Sequence, residues 1–389
     1  MGTRSPTRAI ALLAIASFAS QARVRVVDAL LPQIAADFDT SVGVASIVVA
    51  AYAFTHATAL LVVGPIGDRA GKYRTIAVAC VLSAVTVALC GLAQSLPTLT
   101  LARLTSALTV AWIVPLAIAY IGDVVPYEQR QAVIGRFLAG QIAGQLFGQA
   151  AGGVIGDYFG WRMVFFMLGG LFAIAAIALT VELAANPLTQ QASRPTSSRP
   201  FADYATVLKN PWARFVLLVT GIEAALVFGV FAYVGADLNL RFGMSFSAVG
   251  LIVAVFAIGG LAYAATVRAL MERLGQTRIA IWGGIAMGLA FLTLAVQPVW
   301  QLAPIAVAII GYGFYMLHNT LQTVGTQMSP DARGTALGLF ASVYYLGQSV
   351  GAALGAPIVD RLGAPPLFLI SALLLPPLAW WFTLRLKQR

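Results

Sequence analysis

Charge is what this sequence has least of. Only 10% of its 389 residues are charged and 60% are hydrophobic. A soluble globular chain carries about 25% charged residues and 45–50% apolar ones. An ordinary water-solvated surface is excluded, and a mean hydropathy of +0.86 points to a polytopic helical membrane protein. Cysteine is scarce as well. Cys80 and Cys90 fall in one predicted helix, roughly 15 Å apart along its axis, so they do not bond to each other. Neither a disulfide framework nor a cysteine zinc site is supported, and the two histidines make no metal-ligand set. The polar alternation of a transmembrane β-barrel is missing. So is a G-x-x-x-x-G-K-[ST] phosphate loop, which excludes ATP as the direct energy source. No soluble domain is present to host conventional enzyme chemistry.

Long apolar runs fill the chain instead. Segments able to cross about 30 Å of hydrocarbon are predicted near 9–35, 43–66, 75–93, 98–122, 132–156 and 162–183. A second set falls near 212–236, 246–267, 279–296, 301–324, 334–358 and 365–384. This is an all-α chain of 12 transmembrane helices, six in a bundle over 1–183 and six over 212–389. Between them, 184–211 is rich in Pro, Ser, Thr, Gln and Arg and reads as a cytoplasmic linker. Phe201, Tyr204 and Leu208 recur there at helical spacing, so its end is expected along the membrane surface.

The net charge of +10 raises the question of nucleic acid. Its distribution answers it. On this topology 18 of the 24 Lys and Arg lie in the tails or even-numbered loops. Excess Lys and Arg marks the cytoplasmic side, so both termini are expected inside a cytoplasmic membrane. The partners are then the lipid bilayer and a small molecule, with no nucleic acid, and the protein is expected to be monomeric. Arg4 and Arg8 before the first apolar run mimic a signal peptide, with Ser20-Gln-Ala22 as a cleavage site. Cleavage would leave an odd number of spans, so the run reads as the first span.

The halves repeat. Asp68-Arg-Ala-Gly-Lys-Tyr-Arg74 matches Glu272-Arg-Leu-Gly-Gln-Thr-Arg278 at a shift of 204. Arg130, Gly135, Phe137, Gly144, Gln145, Gly148, Gly152, Asp157 and Gly160 match Arg333, Gly338, Phe340, Gly347, Gln348, Gly351, Gly355, Asp360 and Gly363 at a shift of 203. Parallel repeats of six spans place a binding site between the halves.

Several stretches carry a family resemblance. Gly64-Pro-Ile-Gly-Asp-Arg-Ala-Gly-Lys-Tyr-Arg74 is a charged, glycine-punctuated break between two apolar runs. It is either a merely basic turn or a latch in which Asp68, Arg69 and Arg74 pair with neighbouring helix ends, with Gly64 for close packing and Gly71 for the bend. The string resembles the loop signature of the major facilitator superfamily, G-x-x-x-D-R-x-G-[RK]-x-[RK]. In the second copy, around Glu272 and Arg273, Arg268 stands where Gly64 does, so a weaker latch is expected there. Gly144-Gln-Leu-Phe-Gly148-Gln-Ala-Ala-Gly152-Gly153 resembles the fifth-span signature of facilitator antiporters, with Gln149 in place of its proline. Asp28-Ala-Leu-Leu-Pro32 resembles the D-x-x-x-P element of the drug–proton antiporter branch. Arg103 resembles the arginine of the superfamily's R-x-x-x-G element, with a structural or a proton-handling role. Leu208-Lys-Asn-Pro211 resembles the start of the seventh span in such transporters.

The residues themselves suggest roles. Gly140, Gly144, Gly148 and Gly152 form one smooth helical ridge for close packing. Gln141, Gln145 and Gln149 form a second stripe, about 100° round the helix, expected to face a cavity. Arg23, Arg25 and Asp28 lie inside the first span; Arg25 and Asp28 can pair along one face. They either contact an anionic or zwitterionic substrate or snorkel towards the outer interface. Glu223, in mid-span, could take up and release a proton as the cavity alternates, with Asp28 as its rival. Alternatively a neighbouring hydroxyl holds Glu223 protonated. Tyr52 and His56, then Tyr312, Tyr315, Asn319 and Gln322, then Tyr345 and Gln348 make aromatic and amide stripes suited to an amphipathic ligand, or to helix packing.

The resemblance implies a secondary active transporter working by rocking of two six-helix halves. It implies no cofactor beyond a proton gradient, and efflux of small amphipathic or anionic molecules, multidrug transport among them. A specific sugar or organic anion is the alternative. A lipid-acting protein on the same scaffold would want a catalytic His/Asp/Ser set at a membrane face, and none stands out.

Overall fold

The computed structural model describes residues 6–190, 200–329 and 333–388, without the side chains at 64, 65, 68, 127, 128, 131, 200–203, 333 and 334. Among the described residues there is no strand. Among these residues nine helices are long and apolar enough to cross a membrane by length and composition. The longest, Phe246–Val296, is two spans joined end to end, broken where Gly275 adopts φ +73°. Its counterpart at the shift of 204, Gly71, has φ +87° and makes the same break between the second and third spans. Only glycine takes this conformation without steric cost. Two further helices, Thr7–Arg25 and Tyr127–Phe159, bring the spans to twelve. Both are diluted, the first by arginines and the fifth by glycines and glutamines.

Each half packs about its own interior. One buried apolar cluster draws on residues 9–179; the other draws on 207–382, joined by Ala29. The glycine ridge of the fifth span lies on the first. A Cβ at Gly144 or Gly148 would overlap the backbone of Phe18 or Ala22, and one at Gly152 would overlap Val26. Gly140 meets only Ala14, more loosely. The repeat does the same, with Gly347 on Gly221 and Gly351 on Ala225. Small residues let the helices approach to backbone contact, where dispersion replaces the hydrophobic drive that lipid does not supply.

The halves meet at the face opposite the termini. Gly153 packs on Phe246 and Gly250 of the eighth span, and Gly235 on Asp28 and Ala29. The Tyr233 hydroxyl donates to Ser46 Oγ at 2.8 Å. Towards the face of the termini, Ser342 Oγ still donates to the Ala57 carbonyl at 2.8 Å, joining the second and eleventh spans.

Several spans are irregular at mid-depth, the fourth among them at Ala111–Trp112, and two of the breaks bear on the space between the halves. The first span leaves the helix after Arg25 and resumes over Leu31–Asp37, where Pro32 sits in the first turn, a position that needs no N–H. The seventh carries one π turn over Ala225–Gly229. Irregular backbone at membrane depth is tolerated where it is buried in protein or lines a cavity. In the linker, helix continues to Ala185 and again over Pro187–Gln190, so the sixth helix runs beyond its expected end at 183. A helix over Pro200–Lys209 follows, from which the Tyr204 hydroxyl donates to the Leu61 carbonyl at 2.7 Å.

Candidate functional site

The end of the first helix at Arg25 and the π turn of the seventh span meet at a cavity of about 60 Å³ between the halves. The N-terminal half gives it Gln21, Val24, Arg25 and Gln145; the C-terminal half gives Phe228, Phe256, Phe314, Tyr315, Tyr344, Tyr345 and Gln348. One wall is cationic and amide-bearing, the other aromatic. Such a volume holds roughly two waters.

Arg25 links the two walls. Its Nη1 donates to Asp28 Oδ2 at 3.1 Å and to the Phe228 carbonyl at 3.4 Å. Its Nη2 donates to Gln348 Oε1 at 3.1 Å. The guanidinium lies 3.9 Å from the centroid of the Phe228 ring, a cation–π distance. Phe228 belongs to the π turn, which places both its ring and its carbonyl at the cation. Arg25 and Asp28 are both buried. They face the other half and do not reach an outer interface.

Glu223 is fully buried in the seventh span. Its Oε2 lies 2.8 Å from His318 Nδ1 of the tenth span, and its Oε1 has no hydrogen-bond partner. The His318 ring stacks on Phe314 at 4.7 Å and lies 4.9 Å from Tyr344, both cavity residues. The pair therefore sits one ring behind the cavity wall. The partner of Glu223 is an imidazole from another span, not a hydroxyl.

Other expected site residues lie elsewhere. Arg23 is inside the N-terminal bundle, donating to Ser106 Oγ at 2.6 Å and lying over the Tyr52 and Phe165 rings. Arg103 donates its Nε–H to the Val48 carbonyl at 3.0 Å and covers the Tyr52 ring from 4.4 Å. Tyr52 is thus held by two guanidiniums. The His56 ring lies tilted against Tyr345 at 4.2 Å, one ring behind the cavity. Of the glutamine stripe only Gln145 lines the cavity. Gln141 accepts from Gln21 at 3.5 Å, and Gln149 is buried where the fifth span meets the eighth. Tyr315, Tyr345 and Gln348 line the cavity. Tyr312 bonds Thr266 at 2.8 Å, Asn319 is half-buried, and Gln322 is exposed.

Gly64 and Asp68 lie outside the residues whose side chains are described. Around them Arg69 and Arg74 are exposed, and Lys72 Nζ meets Asp123 Oδ2 at 2.6 Å. In the second copy Glu272 pairs at 3.1 Å with Arg268, the residue that replaces the glycine, and Arg273 is exposed. Glu272 is thereby engaged within its own helix.

Sequence reasoning missed the bond from His318 to Glu223 and the wall of Phe228, Phe256, Phe314 and Tyr344. His318 stood beside the Tyr312–Gln322 stripe, but nothing in one sequence joins positions 95 residues apart. The phenylalanines carry no polar signal at all.

Comparison with known proteins gives the family. The profile of the Major Facilitator Superfamily matches residues 13–241 and 221–389. The chain is 24% identical over 322 residues to the uncharacterized MFS-type transporter YceJ of Bacillus subtilis, covering 83% of this chain and 82% of that one. It is 25% identical over 364 residues to a probable sugar efflux transporter of Pasteurella multocida, covering 91% and 87%. Among solved structures, the nucleoside transporter NupG superposes with a TM-score of 0.79 at 15% identity, covering 96% and 98%. A bacterial homologue of the human lysosomal transporter Spinster, in an inward-facing and unoccupied conformation, gives 0.78 at 18%, covering 98% and 97%.

Proposed function

The chain belongs to the Major Facilitator Superfamily and is a membrane transporter, not an enzyme, and from this premise we propose that it exports small amphipathic or anionic molecules in exchange for protons. The observation that carries this reading is Arg25, a buried cation reaching from one half to a glutamine of the other across an aromatic wall. An anionic group arriving at the cavity competes with Asp28 and Gln348 for the guanidinium, while a flat apolar body stacks on the rings. Capture of Arg25 frees Asp28 and loosens the tie between the halves. Glu223 and His318, one ring away, supply a second group that binds a proton. Alternating access follows from rocking of the halves about this midplane site. On this reading the cation-rich face that carries both termini is cytoplasmic.

A sugar or other single metabolite is the second reading. It is favoured by the amides Gln21, Gln145 and Gln348 at the cavity, which suit hydroxyl groups, and by the name of the Pasteurella relative. A screen of labelled compounds in everted vesicles separates the two. Accumulation of amphipathic anions that collapses with the proton gradient supports the first reading; accumulation of sugars alone supports the second.

A further inference from the structure

A second cavity, of about 370 Å³, opens at the face of the termini, wholly within the C-terminal half. Trp212, Gln276, Thr323, Val324, Gln327 and Leu386 line it, from the seventh, tenth and twelfth spans and the turn after the eighth. Three are apolar and three offer amide or hydroxyl groups. Lys209 and Arg214 flank Trp212 in sequence, Arg273 and Arg278 flank Gln276, and Arg385 and Lys387 flank Leu386. All six cations are exposed, and none makes an ion pair among the described residues.

The repeat shows what is missing. At the shifts of 204 and 203 the N-terminal half carries Ala9, Lys72, Tyr120 and Val124 at the places of Trp212, Gln276, Thr323 and Gln327. There the half supplies its own anions. Arg8 Nε meets Glu182 Oε2 at 3.2 Å, Lys72 meets Asp123 at 2.6 Å, and Asn186 Nδ2 donates to Glu182 Oε1 at 2.8 Å. In the C-terminal half the counterpart of Glu182 is Arg385 and that of Asp123 is Thr326. Both carboxylates are gone, one is replaced by a cation, and a cavity stands between the same helices.

We infer that this cavity binds a phosphate-bearing anion, which takes the part that Glu182 and Asp123 play in the other half. A phosphate accepts forked hydrogen bonds from guanidinium and further ones from amide and hydroxyl donors. Basic pockets between spans suit anionic lipid headgroups, and an aromatic such as Trp212 suits the headgroup level of a bilayer. The same phosphate chemistry could come from a lipid or from a free ion. The site shares no lining residue with the central cavity and does not depend on what that cavity transports.

The test is native mass spectrometry on the full chain in detergent, titrated with dioctanoyl phosphatidylglycerol, dioctanoyl phosphatidylcholine and inorganic phosphate. One saturable adduct is expected with phosphatidylglycerol or with phosphate, and none with phosphatidylcholine at the same concentration. An adduct that phosphate does not displace assigns the site to lipid; one that forms with phosphate alone assigns it to the free ion. Arg385→Glu restores the carboxylate of the other half and should weaken the adduct on the order of ten-fold or more, given the worth of each cation at a charged headgroup. Gln276→Trp, which fills the cavity without changing charge, should abolish it. Equal binding of phosphatidylcholine overturns the proposal. So does wild-type binding in either variant, with an unchanged melting temperature showing that the variant is folded.

Discussion

The carboxylate of Asp360, at the end of the eleventh span, accepts the backbone N–H of Gly43, in the first turn of the second span, at 2.7 Å. The Ser41 hydroxyl donates to the same carboxylate at 2.7 Å. Asp157, the counterpart of Asp360 in the repeat, does likewise at the eighth span, accepting the N–H of Ser247 at 3.2 Å and its hydroxyl at 2.7 Å. Each half thus caps a helix of the other, and a carboxylate is favoured at a helix N-terminus by free N–H groups and the helix dipole. Both caps lie on the face where the halves meet. Asp360→Ala and Asp157→Ala should each cost the closed state about 1 kcal/mol, roughly a five-fold shift in population. Spin-label distances between the first and eleventh loops report it. An unchanged distribution in the double variant would show that the caps do not hold this face.

Arg25 and Arg23 differ in a way that transport can detect. Arg25 lines the cavity, whereas Arg23 is bound to Ser106 inside one bundle. Arg25→Gln should weaken binding of anionic compounds more than neutral ones. Arg23→Gln should instead lower the melting temperature, since a buried hydrogen bond from a charged group contributes about 1.5–3 kcal/mol. Equal losses for both compound classes in Arg25→Gln would remove it from the substrate site.

The glycine ridge separates packing from mere composition. Gly148→Ala sets a methyl group into the Ala22 backbone, and Gly347→Ala does the same at Gly221. Each should destabilise by about 1–3 kcal/mol. Gly135→Ala, with nothing near its Cβ position, should be neutral or gain up to about 1 kcal/mol of helix propensity. Thermal unfolding in detergent compares them directly. Similar melting temperatures for all three would contradict the close packing.

Twelve spans and a repeat could be read from the sequence because lipid imposes length and apolarity on every helix, and because duplication leaves matched glycines such as Gly144 and Gly347. The pairing of Arg25 with Asp28 was legible for a local reason, their separation of three in the sequence, although the helix ends at Arg25 and the pair spans the turn that follows. What reaches across spans was not. His318 meets Glu223, Asp360 meets Gly43 and Arg25 meets Gln348 only after folding. Arg23 and Arg25 look equivalent as letters, yet the helix turns one into its own bundle and the other towards the opposite half. The loss of Glu182 and Asp123 from the second repeat was present in the letters, but its meaning needed the cavity.

The central claim is coupling to protons through Glu223, fully buried beside His318. A permanent charge at membrane depth is expensive unless paired, and on the proposed reading Glu223 exchanges a proton beside His318 as the halves rock. Glu223→Gln keeps the shape of the protonated acid and holds no exchangeable charge. The deciding measurement is uptake of a transported compound into proteoliposomes, with and without an imposed pH gradient, alongside exchange at equal concentrations on both sides. Glu223→Gln should retain exchange within a few-fold of wild type and lose accumulation against the gradient. A variant that still concentrates the compound as the wild type does would contradict the account and move the proton to Asp28.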